Sequence, residues 1–275
     1  MYTALAFFGV GILPFSAILL PAASRHPPIQ LNTTKPDTWN YPQIGPGIDK
    51  NDPNRGSKLF PRPGLETSGA FNNAFELLHY AINIQDTDQD WAIFQKYFNA
   101  ADKMLVTALF TQILNNTKND DHGAEEMIYV IVVGGDKDDP QNPAPAAITS
   151  IDTPQPTITI TEDAWAYPDR DTYANACSMW DKEGITHDMY ILGSVLLHEY
   201  MFWDWFLHRI LHGQIRDQNS GYGWKDARAL EKRMAIYNAD SYCWYATELF
   251  WAIICRKKTG YDPVNDRNFS KGPSI

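Results

Sequence analysis

The stretch LLHEYMFWDWFLHRILHGQIRD, Leu196 to Asp217, decides how the rest of the chain is read. A zinc-hydrolase helix places two histidines at i and i+4, because those side chains share one helix face and can meet one ion. A glutamate directly after the first histidine then serves as general base. Here His198 and Glu199 are in place, and Phe202 stands where the second histidine belongs. A second phrase follows, His208-Arg209-Ile210-Leu211-His212. It has both histidines, with Arg209 in the glutamate position. A guanidinium stays protonated, so it cannot take a proton from metal-bound water. Gly213 is a natural helix stop, and Asp217 comes soon after it as a candidate third ligand.

Two registers therefore compete. One uses His198 as a ligand with Glu199 as base and lacks its second ligand, because Phe202 cannot bind a metal. The other uses His208, His212 and Asp217 and has no base. On one straight helix, His198 and His208 would lie about 15 Å apart along the axis. Sharing an ion would require a break near Trp203 to Trp205. A metal-free reading stands beside both: buried histidines usually pair with a carboxylate or carbonyl. His198 beside Asp204 or Asp217, and His212 as a cation at a helix C-terminus, need no ion.

Composition narrows the class. The chain has 275 residues, 44% hydrophobic and 20% charged, enough for a packed core. A formal net charge of −10 argues against nucleic-acid binding, which needs a basic footprint. Residues 1–24 read as a secretory signal, with an apolar run from Ala4 to Leu20 and the small residues Ala22, Ala23 and Ser24 after it. That run is too short to span a bilayer, so a secreted protein without stable membrane association is expected. Sequons at Asn32, Asn115 and Asn268 fit glycosylation on that route. There are three cysteines. Cys243 and Cys255 on one helix would be about 18 Å apart, too far to bond. Any intrachain disulfide therefore uses Cys177, and Cys177–Cys255 is preferred because Cys243 sits among aromatic residues.

The expected fold is α+β, a mostly helical single domain with a small β-sheet. Residues 25–66, rich in Pro and Asn, read as an extended lead-in or propeptide, 67–260 as the domain, and 261–275 as a loose tail. Ser68 is the expected N-cap of a first helix. "DTDQDWAIFQKYF" and "ADKMLVTALFTQILNN" supply more helix, and "EEMIYVIVVGGD" and "PTITITEDAW" read as strands. Helix is expected from Thr186 through His212, and two more helices after Gly221. Minor candidates are an acidic turn at Gly134 to Asp139, Ser194 one turn before His198, and the isolated His79, His122 and His187.

Several phrases recur together in a known order: "FQKYF" (Phe94 to Phe98), "LVTALFTQIL" (Leu105 to Leu114), "LLHE" (Leu196 to Glu199), Asp217 before "GYG" (Gly221 to Gly223), and "NADSYCWYATELFW" (Asn238 to Trp251). Over residues 68 to 258 they resemble the deuterolysin-like aspzincins and peptidyl-Lys metalloendopeptidases, secreted zinc proteases. The resemblance implies a zincin-like fold and zinc-assisted hydrolysis of a protein or peptide substrate. It implies His198 and Asp217 as ligands, Glu199 as base and Tyr222 on the oxyanion. The phrase His208 to His212 is similar instead to a related group of secreted antigens and zinc-binding proteins with His-Arg-x-x-His at that place.

Overall fold

The computed structural model describes residues 43–45, 48, 56–60, 69–84, 88–117, 131–134, 146–150, 157–170, 175–203, 207, 210–218 and 220–258. In chain order its elements are β1 (Gln43–Ile44), α1 (Gly56–Leu59), α2 (Ala70–Ile82), α3 (Asp88–Tyr97) and α4 (Lys103–Thr117). Then come β2 (Ile131–Gly134), β3 (Ala147–Ser150), β4 (Thr157–Ile160), α5 (Ala176–Glu183) and α6 (Leu192–Met201). The short α7 (Trp224–Ala229) and α8 (Lys232–Ala235) lead into α9 (Ala239–Lys258). The fold is α+β and mostly helical. Among the described residues, no helix is long and apolar enough to cross a membrane.

Helical spacing of apolar residues sets the core. α2 buries Phe71, Ala74, Phe75, Leu78, Ala81 and Ile82 on the side that meets α6 and α9. The α2–α6 crossing is very close at Gly193. A Cβ there would lie 2.7 Å from Asn73 Cβ and 2.9 Å from the Ala74 backbone nitrogen. Tyr200 of α6 packs on Phe71 and Phe75 of α2. On the other flank Phe94, Phe98 and Phe110 gather round Tyr245 of α9. Each fully buried ring contributes roughly 2–3 kcal/mol of apolar transfer energy.

Charges taken into this core are paired, as desolvation demands. Glu248 of α9 is buried and accepts hydrogen bonds from Lys96, Tyr97 and Arg228. Asp90 pairs with Arg256, and Glu76 with Arg170.

The sheet runs in the order β1-β2-β4-β3, with β1, β2 and β4 parallel and β3 antiparallel to β4. The Thr-Ile alternation works as expected: Ile158 and Ile160 are buried while Thr157 and Thr159 are half-buried. β3 is an edge strand among the described residues, and it lies against α6.

Three expectations change. The N-cap of α2 is Gly69, not Ser68, which lies outside the described residues. The region 25–66 is not all lead-in: β1 adds to the sheet, Leu59 is wholly buried and Ile48 nearly so. Parallel pairing of β1 to a strand almost ninety residues on leaves no local trace in sequence. Finally, the helix from Thr186 to His212 is broken. His187–Met189 is a single 3-10 turn, and α6 stops at Met201 with Phe202 as its C-cap. The amides of Phe202 and Trp203 turn back to Glu199 and Tyr200 at i−3, which tightens and closes the helix.

Candidate functional site

His198 lies in the last turn of α6 and is 8% exposed. Both its ring nitrogens face carboxylates. Nε2 is 3.1 Å from Asp217 Oδ1, and Nδ1 is 2.9 Å from Asp240 Oδ1. Burial alone would depress the imidazole pKa. Hydrogen bonds to Asp217 and Asp240, with Cys243 adding to them, outweigh it and hold His198 well above its ordinary value. A ring that donates from both nitrogens is an imidazolium, so geometry and charge agree.

Each partner is brought by a different element. Asp240 is in the first turn of α9, where a carboxylate suits the helix dipole. Its other oxygen, Oδ2, accepts the Gly223 amide. Asp217 sits on the chain between Gly213 and Gly221, and that chain is stapled to the start of α9. Arg216 and Tyr237 pair backbone to backbone, the Gln218 amide donates to Asn238 Oδ1 at 3.1 Å, and Asn238 Nδ2 donates to Gly221 O at 3.0 Å. Glu199 is 4% exposed and receives a 2.7 Å hydrogen bond from Thr149 Oγ1 of β3. Burial raises its pKa, while His198 and Thr149 pull the other way without cancelling the rise. Tyr222, 65% exposed, stands with its ring 6.4 Å from the His198 ring.

His198, Glu199, Asp217 and Tyr222 line a cleft of about 630 Å³, with Ile148 and Thr149 of β3 on one wall and Phe202 beside the imidazole. A second cleft of about 510 Å³, holding His187 and Asp188, shares Tyr167 and Tyr190 with the first.

The structure thus unites His198, Glu199, Asp217 and Tyr222. It does not bring His212 to them as a described neighbour: His212 is an exposed residue of the turn that follows Leu211. His208, Arg209 and Asp204 lie outside the described residues, as do His122, Asn32, Asn268 and the acidic turn after Gly134. Asn115 falls in the last turn of α4. Ser194 is fully buried with its hydroxyl on Thr247 at 2.8 Å, a packing role rather than that of a nucleophile. Cys177 and Cys255 are bonded, with Cα atoms 5.1 Å apart. Cys243 is the buried free thiol, and desolvation pushes its pKa up to about 12.

A catalytic zinc needs three protein donors and an open position. The described residues offer two at the cleft, His198 Nε2 and Asp217 Oδ1. One turn on from His198, the Phe202 ring packs edge-on against the imidazole with centroids 5.0 Å apart. Among the described residues, no group of three His, Cys, Asp or Glu side chains is placed to hold an ion. They do not fit a catalytic zinc site.

Asp240 and Thr149 were not singled out by the sequence reading. Asp240 had a signal, since it belongs to the "NADSY" phrase and opens a helix. Thr149 had none, because the four-residue β3 emerges from a proline-rich run. No known family's sequence profile matches the chain, and no curated protein matches it.

Proposed function

We propose that the protein is a secreted, metallopeptidase-like interaction protein that holds a peptide in the cleft without hydrolysing it. One observation carries this reading: the cleft keeps its walls, yet Phe202 fills the place of the ligand that hydrolysis would need. The edge of β3 along the cleft supports an extended peptide as occupant, since strand addition satisfies main-chain donors and acceptors on both sides. Ile148 (45% exposed) and Tyr222 offer apolar surface to its side chains. The apparent secretion signal supports action outside the cell.

A second reading, a zinc metalloendopeptidase, is favoured by the buried Glu199 with its raised pKa beside the His198–Asp217 pair. Two measurements separate them. The protein is purified in zinc-supplemented buffer, its zinc content is determined, and it is incubated with a denatured protein substrate alongside Glu199→Gln. The expected result is substoichiometric zinc and no cleavage by either form. Stoichiometric zinc with cleavage abolished in Glu199→Gln would establish the peptidase instead.

A further inference from the structure

The buried carboxylate of Asp240, 3% exposed, has a use that metal chemistry does not require. Its two oxygens serve two different elements. Oδ1 takes Nδ1–H of His198 on α6, and Oδ2 takes the amide of Gly223. Gly223 has φ +83°, the left-handed region, and it follows Tyr222 directly. The far nitrogen of the same imidazole then reaches Asp217 on the preceding chain. One unbroken set of hydrogen bonds therefore runs from Asp217 through His198 and Asp240 to Gly223.

We propose that Asp240 is a positioning residue: through His198 and the Gly223 amide it clamps both ends of the segment from Asp217 to Gly223 onto α6 and α9, so the cleft mouth carrying Tyr222 is formed without a metal ion. The donors and acceptors match. Each ring nitrogen of His198 faces one carboxylate oxygen, Asp240 at 2.9 Å and Asp217 at 3.1 Å, and the Gly223 amide has one donor for the remaining Asp240 oxygen. Each hydrogen bond therefore involves an ionised group, the stronger class. The Phe202 ring packs edge-on against the imidazole, and the Cys243 thiol also interacts with it. The Asn238 staples hold Gln218 and Gly221, leaving Gly223 to Asp240.

The proposal concerns the free protein, so its test is independent of whether a peptide binds. In the wild type, ¹⁵N spectra should show the His198 Nδ1–H and the Gly223 amide both hydrogen-bonded and protected from exchange, each unchanged by EDTA. In Asp240→Asn the amide NH₂ cannot accept a second bond. Gly223 exchange should then rise about tenfold, the worth of one such bond, and the His198 Nδ1 resonance should move. A carboxylate serving only the α9 dipole would lower Tm on this substitution and leave both signals in place, which overturns the proposal. So would an unprotected Gly223 in the wild type, or protection that EDTA abolishes. Should Asp240→Asn not fold, the wild-type spectra with and without EDTA decide the matter alone.

Discussion

At Phe202 the difference between a metal site and a hydrogen-bonded one comes down to a single side chain. The residue caps α6 in a helical conformation, φ −78° and ψ −4°. Its Cβ therefore points much as an i+4 histidine would, and its ring already touches His198. Phe202→His should supply the third donor beside His198 and Asp217. We expect zinc affinity to rise by about a hundredfold or more, since even outer-shell partners are worth 10–100-fold. His198 holds its proton well above the ordinary imidazole range, so zinc must displace that proton. Binding should be tighter at pH 8 than at pH 6 and should release protons, as calorimetry in buffers of different ionisation enthalpy would show. If zinc affinity in Phe202→His equals that of the wild type, Phe202 is not what excludes the metal. The pairing of His198 with Asp217 was weighed as a metal-free possibility. Asp240 was not, because nothing local links position 240 to position 198.

At the scale of elements, α6 owes its placement to the crossing with α2. Helical spacing of apolar residues marks the buried face of α2, whereas no local pattern marks Gly193. It matters because the backbone of α2 occupies the space a Cβ would need. Gly193→Ala must push the helices apart by several tenths of an ångström. We expect a loss of about 1–3 kcal/mol, the usual range for overpacking, measured by urea denaturation. No loss would mean that the crossing is looser than described. The same shift would move His198 relative to α9. The end of α6 was misjudged for a related reason. "MFWDWFLHRILH" has apolar residues at helical spacing throughout, whereas α6 closes at Phe202 with Trp203 and Leu207 both buried beyond its end. Tertiary packing overrode the local pattern.

For the whole molecule, the disulfide ties α5 to the last turns of α9 across 78 residues. The chain from α5 to α6 carries His187, Asp188 and Tyr190, which line the clefts. Replacing both Cys177 and Cys255 by Ser should cost about 2–5 kcal/mol, because the unfolded chain regains the entropy of a long loop. For a chain of this size that is a fall in Tm of roughly 5–15 °C. An unchanged melt under oxidising conditions would show that the bond carries no stability.

The sequence by itself determined the helices with strong periodicity, the Thr-Ile strand and the α+β class. It also excluded a bond between Cys243 and Cys255, which twelve residues of helix separate, whereas the choice of Cys255 over Cys243 as the partner of Cys177 was decided by the structure. These are properties of a single segment, set by 3.6- and 2-residue repeats and by helical rise. Only the tertiary structure decided that α6 stops at Met201 and that β1 and β3 complete the sheet. It alone set Asp217 and Asp240 on opposite sides of His198. Each of those depends on groups far apart in the chain meeting in a packed interior, and a buried imidazole takes whatever partners that packing delivers.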